Sequence, residues 1–113
     1  MSERNGRGAP MMEGRPLKFR ILEILDAEGA MWNSDIVRKL QAEYGMSSDY
    51  YRDCLNFDLI EVSASGMICE ADAMIDADGS FKKDSLLIKY QLTSLGEDLL
   101  NELRSKIRPA GGE

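Results

Sequence analysis

Residues 67–92 have the sequence MICEADAMIDADGSFKKDSLLIKYQL, in which apolar and more polar residues alternate on both sides of a charged turn. The alternating apolar residues are Met67, Cys69, Ala71, Ala73, Ile75, Leu86, Ile88, Tyr90 and Leu92. A period of two is typical of β-strands with one buried face. Between the strands, Asp78-Gly79 favours a two-residue turn because both residue types tolerate positive φ. The segment therefore predicts a long β-hairpin.

Before the hairpin, apolar residues recur at helical spacing and predict three helices. The first helix occupies 16–28 and is followed by a short apolar strand at 30–32. The second helix covers 35–44, and either Asn33 or Ser34 caps it by accepting a bond from a free backbone N–H. A turn containing a glycine then leads to the third helix, which is the layout of a helix-turn-helix.

The third helix begins after a serine cap, either Ser47 or Ser48, and extends to Leu59. Its predicted inward-facing residues are Tyr51, Cys54, Leu55 and Leu59. A fourth helix follows the hairpin, where Ser94 and Glu97 have the spacing of a capping box. The expected organisation is a disordered N-terminal arm at 1–15, one α+β domain at 16–108 and a disordered tail at 109–113.

Two segments, 55–61 (LNFDLIE) and 90–96 (YQLTSLG), lie at the end of the third helix and at the entry to the fourth. These segments and the predicted order of helices and strands resemble the winged-helix transcription regulators of archaea and bacteria, including the MarR-like and PadR-like groups. The resemblance covers about residues 17–104. The resemblance implies a winged helix-turn-helix with a three-helix core, a long two-stranded wing and a C-terminal helix. Asp58 stands where the family usually has glycine, so the resemblance implies a left-handed conformation for Asp58.

The same resemblance implies a DNA-binding transcriptional regulator, with the third helix in the major groove and the wing on the backbone or minor groove. The candidate DNA contacts are Ser48, Arg52, Asp53 and Asn56 on the helix, Lys82 and Lys83 on the wing, and Arg4, Arg7 and Arg15 in the arm. Arg52 suits guanine and Asn56 suits adenine. The alternative for each is an ordinary solvated surface residue, and for the arm a disordered tail.

The charge of the chain favours a different kind of partner. Its net charge is -6, whereas binding to nucleic acid draws on Lys and Arg that neutralise phosphates. The proposed recognition helix contains Asp49, Asp53 and Asp58 against Arg52 as its one basic residue. A protein-interaction module that docks a basic protein partner through its acidic third helix and wing is therefore the alternative function.

The last helix carries an apolar stripe that suits a second copy of the chain. The stripe consists of Leu95, Leu99, Leu103 and Ile107. Dimerisation through this helix would place two recognition helices about one DNA turn apart. The alternative is that the stripe packs across the first helix and the hairpin.

Several classes of function are disfavoured by composition. The chain has no His, and its two cysteines, Cys54 and Cys69, lack the spacing of a metal site, so neither metal nor cofactor is expected. The segment 76–81 imitates part of a calcium loop, but Met74 and Ser85 fall at its first and last ligand positions. Without a phosphate loop or an identifiable nucleophile and base, an enzyme is not expected.

The hydropathy of the chain bears on its location. No run approaches the ~18 consecutive apolar residues of a membrane span, and the first sixteen residues lack the apolar core of a secretory signal. We therefore expect a cytoplasmic protein that does not bind membranes.

Overall fold

The computed structural model describes residues 17–107. Its elements, in chain order, are α1 (Leu17–Glu28), β1 (Met31–Trp32), α2 (Asn33–Tyr44), α3 (Asp49–Ala64), β2 (Ile68–Ile75), β3 (Leu86–Leu92) and α4 (Ser94–Ile107). The predicted α+β class and the predicted order of elements are confirmed. None of the helices between residues 17 and 107 is both long and apolar enough to span a bilayer.

The three strands form one antiparallel sheet in the order β1-β3-β2. β1 contributes two residues, which pair Met31 with Tyr90 and Trp32 with Lys89. β2 and β3 form the long hairpin, in which Ile68 pairs with Leu92 at the base. Because β1 is short, β3 has a paired neighbour on both sides only near its C-terminal end.

A β-bulge interrupts the hairpin. The register shifts between Glu70 and Asp72, so that Ala71 has no partner on β3. The extra residue exchanges the two faces of the strand, and the predicted continuous alternation from Met67 to Ile75 is therefore wrong. Ile68, which the alternation placed on the polar face, is 1% exposed.

The core is built where the helices meet the base of the sheet. Its largest buried side chains are Ile21, Leu22, Ile24, Ile36, Leu40, Leu55, Leu59, Ile68, Tyr90 and Leu100. The predicted inward position of Tyr51 is wrong, because this side chain is 38% exposed. Cys54 is half-buried and free.

α3 continues five residues beyond its predicted end at Leu59. No helix-breaking residue lies between 60 and 64, and Val62 adds another buried contact on the inward face. Gly66, with φ of +89°, lies in the turn after the helix. Asp58 is inside α3, so the left-handed conformation implied for it is wrong, and Asp84 is the one non-glycine residue with positive φ among residues 17–107.

Two of the four predicted helix caps are confirmed. Ser48 caps α3 by accepting a bond from the Tyr51 amide, and Gly45 ends α2 with φ of +69°. The predicted cap of α2 is wrong, because the helix starts at Asn33 without a side-chain cap. At α4, Thr93 Oγ1 accepts from the Gly96 amide, so Thr93 takes the place of the predicted box.

α4 packs against α1 and carries the stripe predicted to form a dimer. Leu99 and Leu103 are half-buried against the core, as expected if the stripe packs within the domain, whereas Leu95 is 56% exposed. The side chain of Ile107 lies outside the described residues. A dimer through α4 stays a prediction.

Candidate functional site

A groove of about 350 Å³ lies between α3 and the hairpin. The α3 side is formed by Asp53, Asn56, Phe57 and Ile60, which are spaced three and four residues apart and so share one helix face. The hairpin side is formed chiefly by Phe81, Leu86, Ile88 and Tyr90. The face of α3 opposite its core stripe is therefore the wall of this groove.

The rim of the groove is apolar and exposed. Phe57 is 57% exposed, Ile60 47% and Leu86 50%. Ile75, which pairs with Leu86 across the hairpin, is 56% exposed. Clustered exposed apolar side chains often mark binding surfaces, whereas single exposed apolar residues are common on any protein.

A buried amide holds the groove at its present width. Asn33 is 1% exposed, and its Nδ2 donates to Asn56 Oδ1 over 2.8 Å. Its Oδ1 accepts from the Ile88 amide over 3.0 Å. One side chain thus joins the start of α2 to α3 and to β3. Asn56 is a half-buried part of this network, and its amide oxygen is already engaged, whereas pairing with adenine needs both ends of the amide.

The hairpin turn is much longer than predicted. β2 ends at Ile75 and β3 begins at Leu86, so residues 76–85 form a ten-residue loop rather than a two-residue turn. Gly79 and Asp84 both adopt positive φ within it. The prediction failed because Asp76 organises this loop from its first position.

The Asp76 carboxylate is 3% exposed and accepts five hydrogen bonds from the loop. Oδ1 accepts from the amides of Gly79 and Ser80, each over 3.1 Å, and from Ser80 Oγ. Oδ2 accepts from the amides of Phe81 and Lys82 over 2.8 and 2.7 Å. These bonds, that from Lys82 foremost, lower the pKa of Asp76.

Arg52 joins this loop to α3. Its Nε lies 3.0 Å from Asp53 Oδ1, and its guanidinium carbon lies 5.8 Å from the centre of the Phe81 ring. Nη1 also contacts Asp49 and the Phe81 carbonyl, each over 3.4 Å. The bond to Asp53 is the main reason that the pKa of Arg52 is raised and that of Asp53 lowered. The predicted guanine-reading side chain is thus largely enclosed.

The two candidate wing lysines also have partners within the domain. Lys82 Nζ lies 3.4 Å from Asp53 Oδ1, and Lys83 Nζ donates to the Ala77 carbonyl over 2.8 Å. Arg38 of α2, which was not among the predicted site residues, donates to the Ser80 carbonyl over 2.7 Å. The loop is therefore held against both α2 and α3.

The predicted DNA-contact residues are only partly brought together. Arg52, Asp53 and Lys82 meet at one end of the groove, whereas Ser48 is occupied as the cap of α3. The arm residues Arg4, Arg7 and Arg15 lie outside the described residues.

The residues that sequence reasoning missed are Asn33, Phe57, Ile60, Arg38 and Asp76. Phe57 and Ile60 did carry a signal, since they are apolar but lie off the inward stripe of α3. Within residues 17–107, no group of three or more His, Cys, Asp or Glu side chains is arranged to hold a metal ion.

Comparison with known proteins finds no matching family, no matching curated protein and no matching solved structure.

Proposed function

We propose that this domain is a winged helix that binds a basic protein partner through the groove between α3 and the hairpin. The observation that carries the proposal is the exposed apolar rim formed by Phe57, Ile60 and Leu86. A rim of this kind suits protein side chains and offers little to a phosphate backbone. Covering three half-exposed side chains contributes about 1 kcal/mol each, since full burial of such a residue is worth about 1.5–3 kcal/mol.

The charge of α3 as a whole supports a basic partner. α3 carries Asp49, Asp53, Asp58 and Glu61 against Arg52. Arg52 is already paired with Asp49 and Asp53, and Lys82 lies against Asp53 as well. A phosphate would compete with these carboxylates for the same cations, whereas Lys or Arg of a partner is attracted by the acidic excess of α3 as a whole.

A DNA-binding regulator is the second candidate. The observation that favours it is the convergence of Arg38, Arg52 and Lys82 around the hairpin loop, beside the helix that a winged helix inserts into the major groove. DNA binding at this face requires Arg52 and Lys82 to exchange Asp53 for phosphate or guanine.

Site-specific photo-cross-linking tests the first proposal. We replace Phe57 with p-benzoylphenylalanine and compare it with the same replacement of Tyr50, which is 67% exposed but does not line the groove. Cross-links to basic protein segments should form from position 57, not from position 50, and should disappear when Ile60→Glu is added. Equal cross-linking from both positions would contradict the proposal.

A DNA titration tests the second candidate on the same protein. Fluorescence anisotropy with random-sequence duplex is measured at about 50 mM and about 200 mM salt, a range over which a protein with several phosphate contacts loses affinity steeply. Salt-sensitive binding that is lost in Arg52→Glu and in Lys82→Glu would replace the protein-interaction proposal with the DNA-binding one. Absence of binding at both salt concentrations is the result expected for the first proposal.

A further inference from the structure

β3 has a free backbone edge beside the groove. Backbone groups of successive strand residues point to opposite edges. The Ser85 carbonyl accepts from the Asp76 amide over 2.8 Å, so Ser85 faces β2. The Ile88 amide donates to Asn33 Oδ1, so Ile88 faces the opposite edge, and Leu86, two residues away, faces that edge too.

β1 does not extend along this part of β3. Its two residues pair with Lys89 and Tyr90 and go no further, because the chain enters α2 at Asn33. The Asn33 side chain then takes the place of a strand partner at the Ile88 amide. Among the described residues, the N–H and C=O of Leu86 therefore have no ladder partner on this side.

The opposite edge of the sheet is blocked at two positions. On β2, the Ala73 amide, which points away from β3, is taken by Asp72 Oδ1 over 2.8 Å. The bulge at Ala71 further disrupts that edge. Side-chain capping and bulges are two means by which proteins block unwanted strand pairing. The edge beside the groove lacks both devices at Leu86.

We propose that an extended segment of the basic partner adds to β3 at residues 86–88 and continues the line of β1. This inference rests on the proposed function of the groove. The added strand donates to and accepts from Leu86, and its apolar side chains lie against Phe57 and Ile60. Its alternate basic residues face α3, whose Asp53 lines the groove and is shared there with Arg52 and Lys82. The contact is short, since three strand residues extend about 10 Å.

An NMR titration of the full-length ¹⁵N-labelled protein tests the proposal. The probe is the synthetic peptide Lys-Ile-Lys-Val-Lys-Ile-Lys, added to millimolar concentration. We expect shifts of the Phe57, Ile60, Leu86 and Ile88 amides, together with slower hydrogen exchange of the Leu86 amide. Two control peptides are used, one N-methylated at every apolar residue and the other at every lysine. Each control therefore lacks the backbone N–H donors along one edge of the peptide strand.

One of the two N-methylated peptides should bind about tenfold more weakly than the parent, which corresponds to the loss of one or two hydrogen bonds.

Two protein variants at Leu86 test the same hydrogen bonds from the side of the domain. Leu86→Pro removes the outward amide while sparing the ladder to β2, and Leu86→Ala keeps that amide while shortening the side chain. Leu86→Pro should weaken binding about tenfold more than Leu86→Ala. If Leu86→Pro fails to fold, the N-methylated peptides decide the question.

The outcomes separate the two proposals. Groove shifts that are insensitive to both N-methylations would overturn strand addition while leaving a protein-binding groove. Absence of any shift at the groove with the parent peptide would also overturn strand addition. The protein-binding function itself would fail if duplex DNA, and no basic peptide, shifted the same amides.

Discussion

Replacing Asn33 with Ala should be among the most destabilising single changes near the groove. The side chain is 1% exposed and makes two hydrogen bonds, one to Asn56 and one from the Ile88 amide. Each unpaired buried group costs about 1–3 kcal/mol, and Asn56 is exposed enough to recover part of this from water. The expected loss in the free energy of unfolding is therefore about 3 kcal/mol, a large fraction of the stability of a small domain.

Urea unfolding monitored by circular dichroism measures this loss. Asn56→Ala is the matched control, because it leaves one donor of Asn33 unpaired and should cost about 1–2 kcal/mol. The double variant should be less destabilised than the sum of the two single variants, since both remove the same bond. A loss below about 0.5 kcal/mol in Asn33→Ala, within the range of ordinary surface substitutions, would refute the structural role assigned to Asn33.

Three further changes test other features of the fold. Gly96→Ala would drive a Cβ into the Met67 carbonyl oxygen and should lower the melting temperature far more than Gly29→Ala, whose Cβ meets no atom within 4 Å and bears only the strain of a positive φ. Equal effects of the two substitutions would contradict the close approach at Gly96. The pKa of Asp76 is lowered below 3.8, so its contribution to stability is present above that pH and is lost as pH falls through its folded pKa. Asp76→Asn should therefore be less stable at neutral pH and less sensitive to acid unfolding below pH 3.8. If the predicted dimer through α4 forms, Leu95→Glu should convert it to a monomer in sedimentation velocity, and a monomeric parent protein would disprove the dimer.

The elements that could be predicted from the sequence are those that depend on local pattern. Helical spacing located α1, α2 and the start of α3, because each helix buries a stripe that recurs along the chain. Gly45 and Ser48 marked helix ends because their roles depend on neighbouring backbone groups alone. The period of two likewise located both strands of the hairpin.

The features that were missed depend on residues far apart in the chain or on competing local interactions. Asn33 was predicted as a cap from its position before a helix, yet its partners lie 23 and 55 residues away. Asp78-Gly79 suggested a tight turn, but the Asp76 carboxylate offered five amide and hydroxyl donors a better arrangement. The bulge at Ala71 changed the face of the strand without any glycine or proline to mark it.

The candidate site was predicted less well than the fold. Arg52 and Lys82 were predicted as DNA contacts from their positions on the helix and the wing. The pairing of Lys82 with Asp53 and the contact of Arg52 with Phe81 depend on the loop lying beside α3, which no local pattern shows. Phe57 and Ile60 are similar cases. An apolar residue outside the core stripe of a helix is common, and these two form part of a groove only because the hairpin lies opposite them.

The loop after β2 keeps its shape chiefly through the Asp76 carboxylate and the backbone amides that donate to it. The side chains of Ala77 and Asp78 are exposed and make no bond to that carboxylate. Substitutions at these two positions can therefore alter the charge and size of the exposed tip while its backbone stays the same. Related domains that keep Asp76 can therefore differ in partner preference through point substitutions at the tip, because those substitutions leave the loop conformation unchanged.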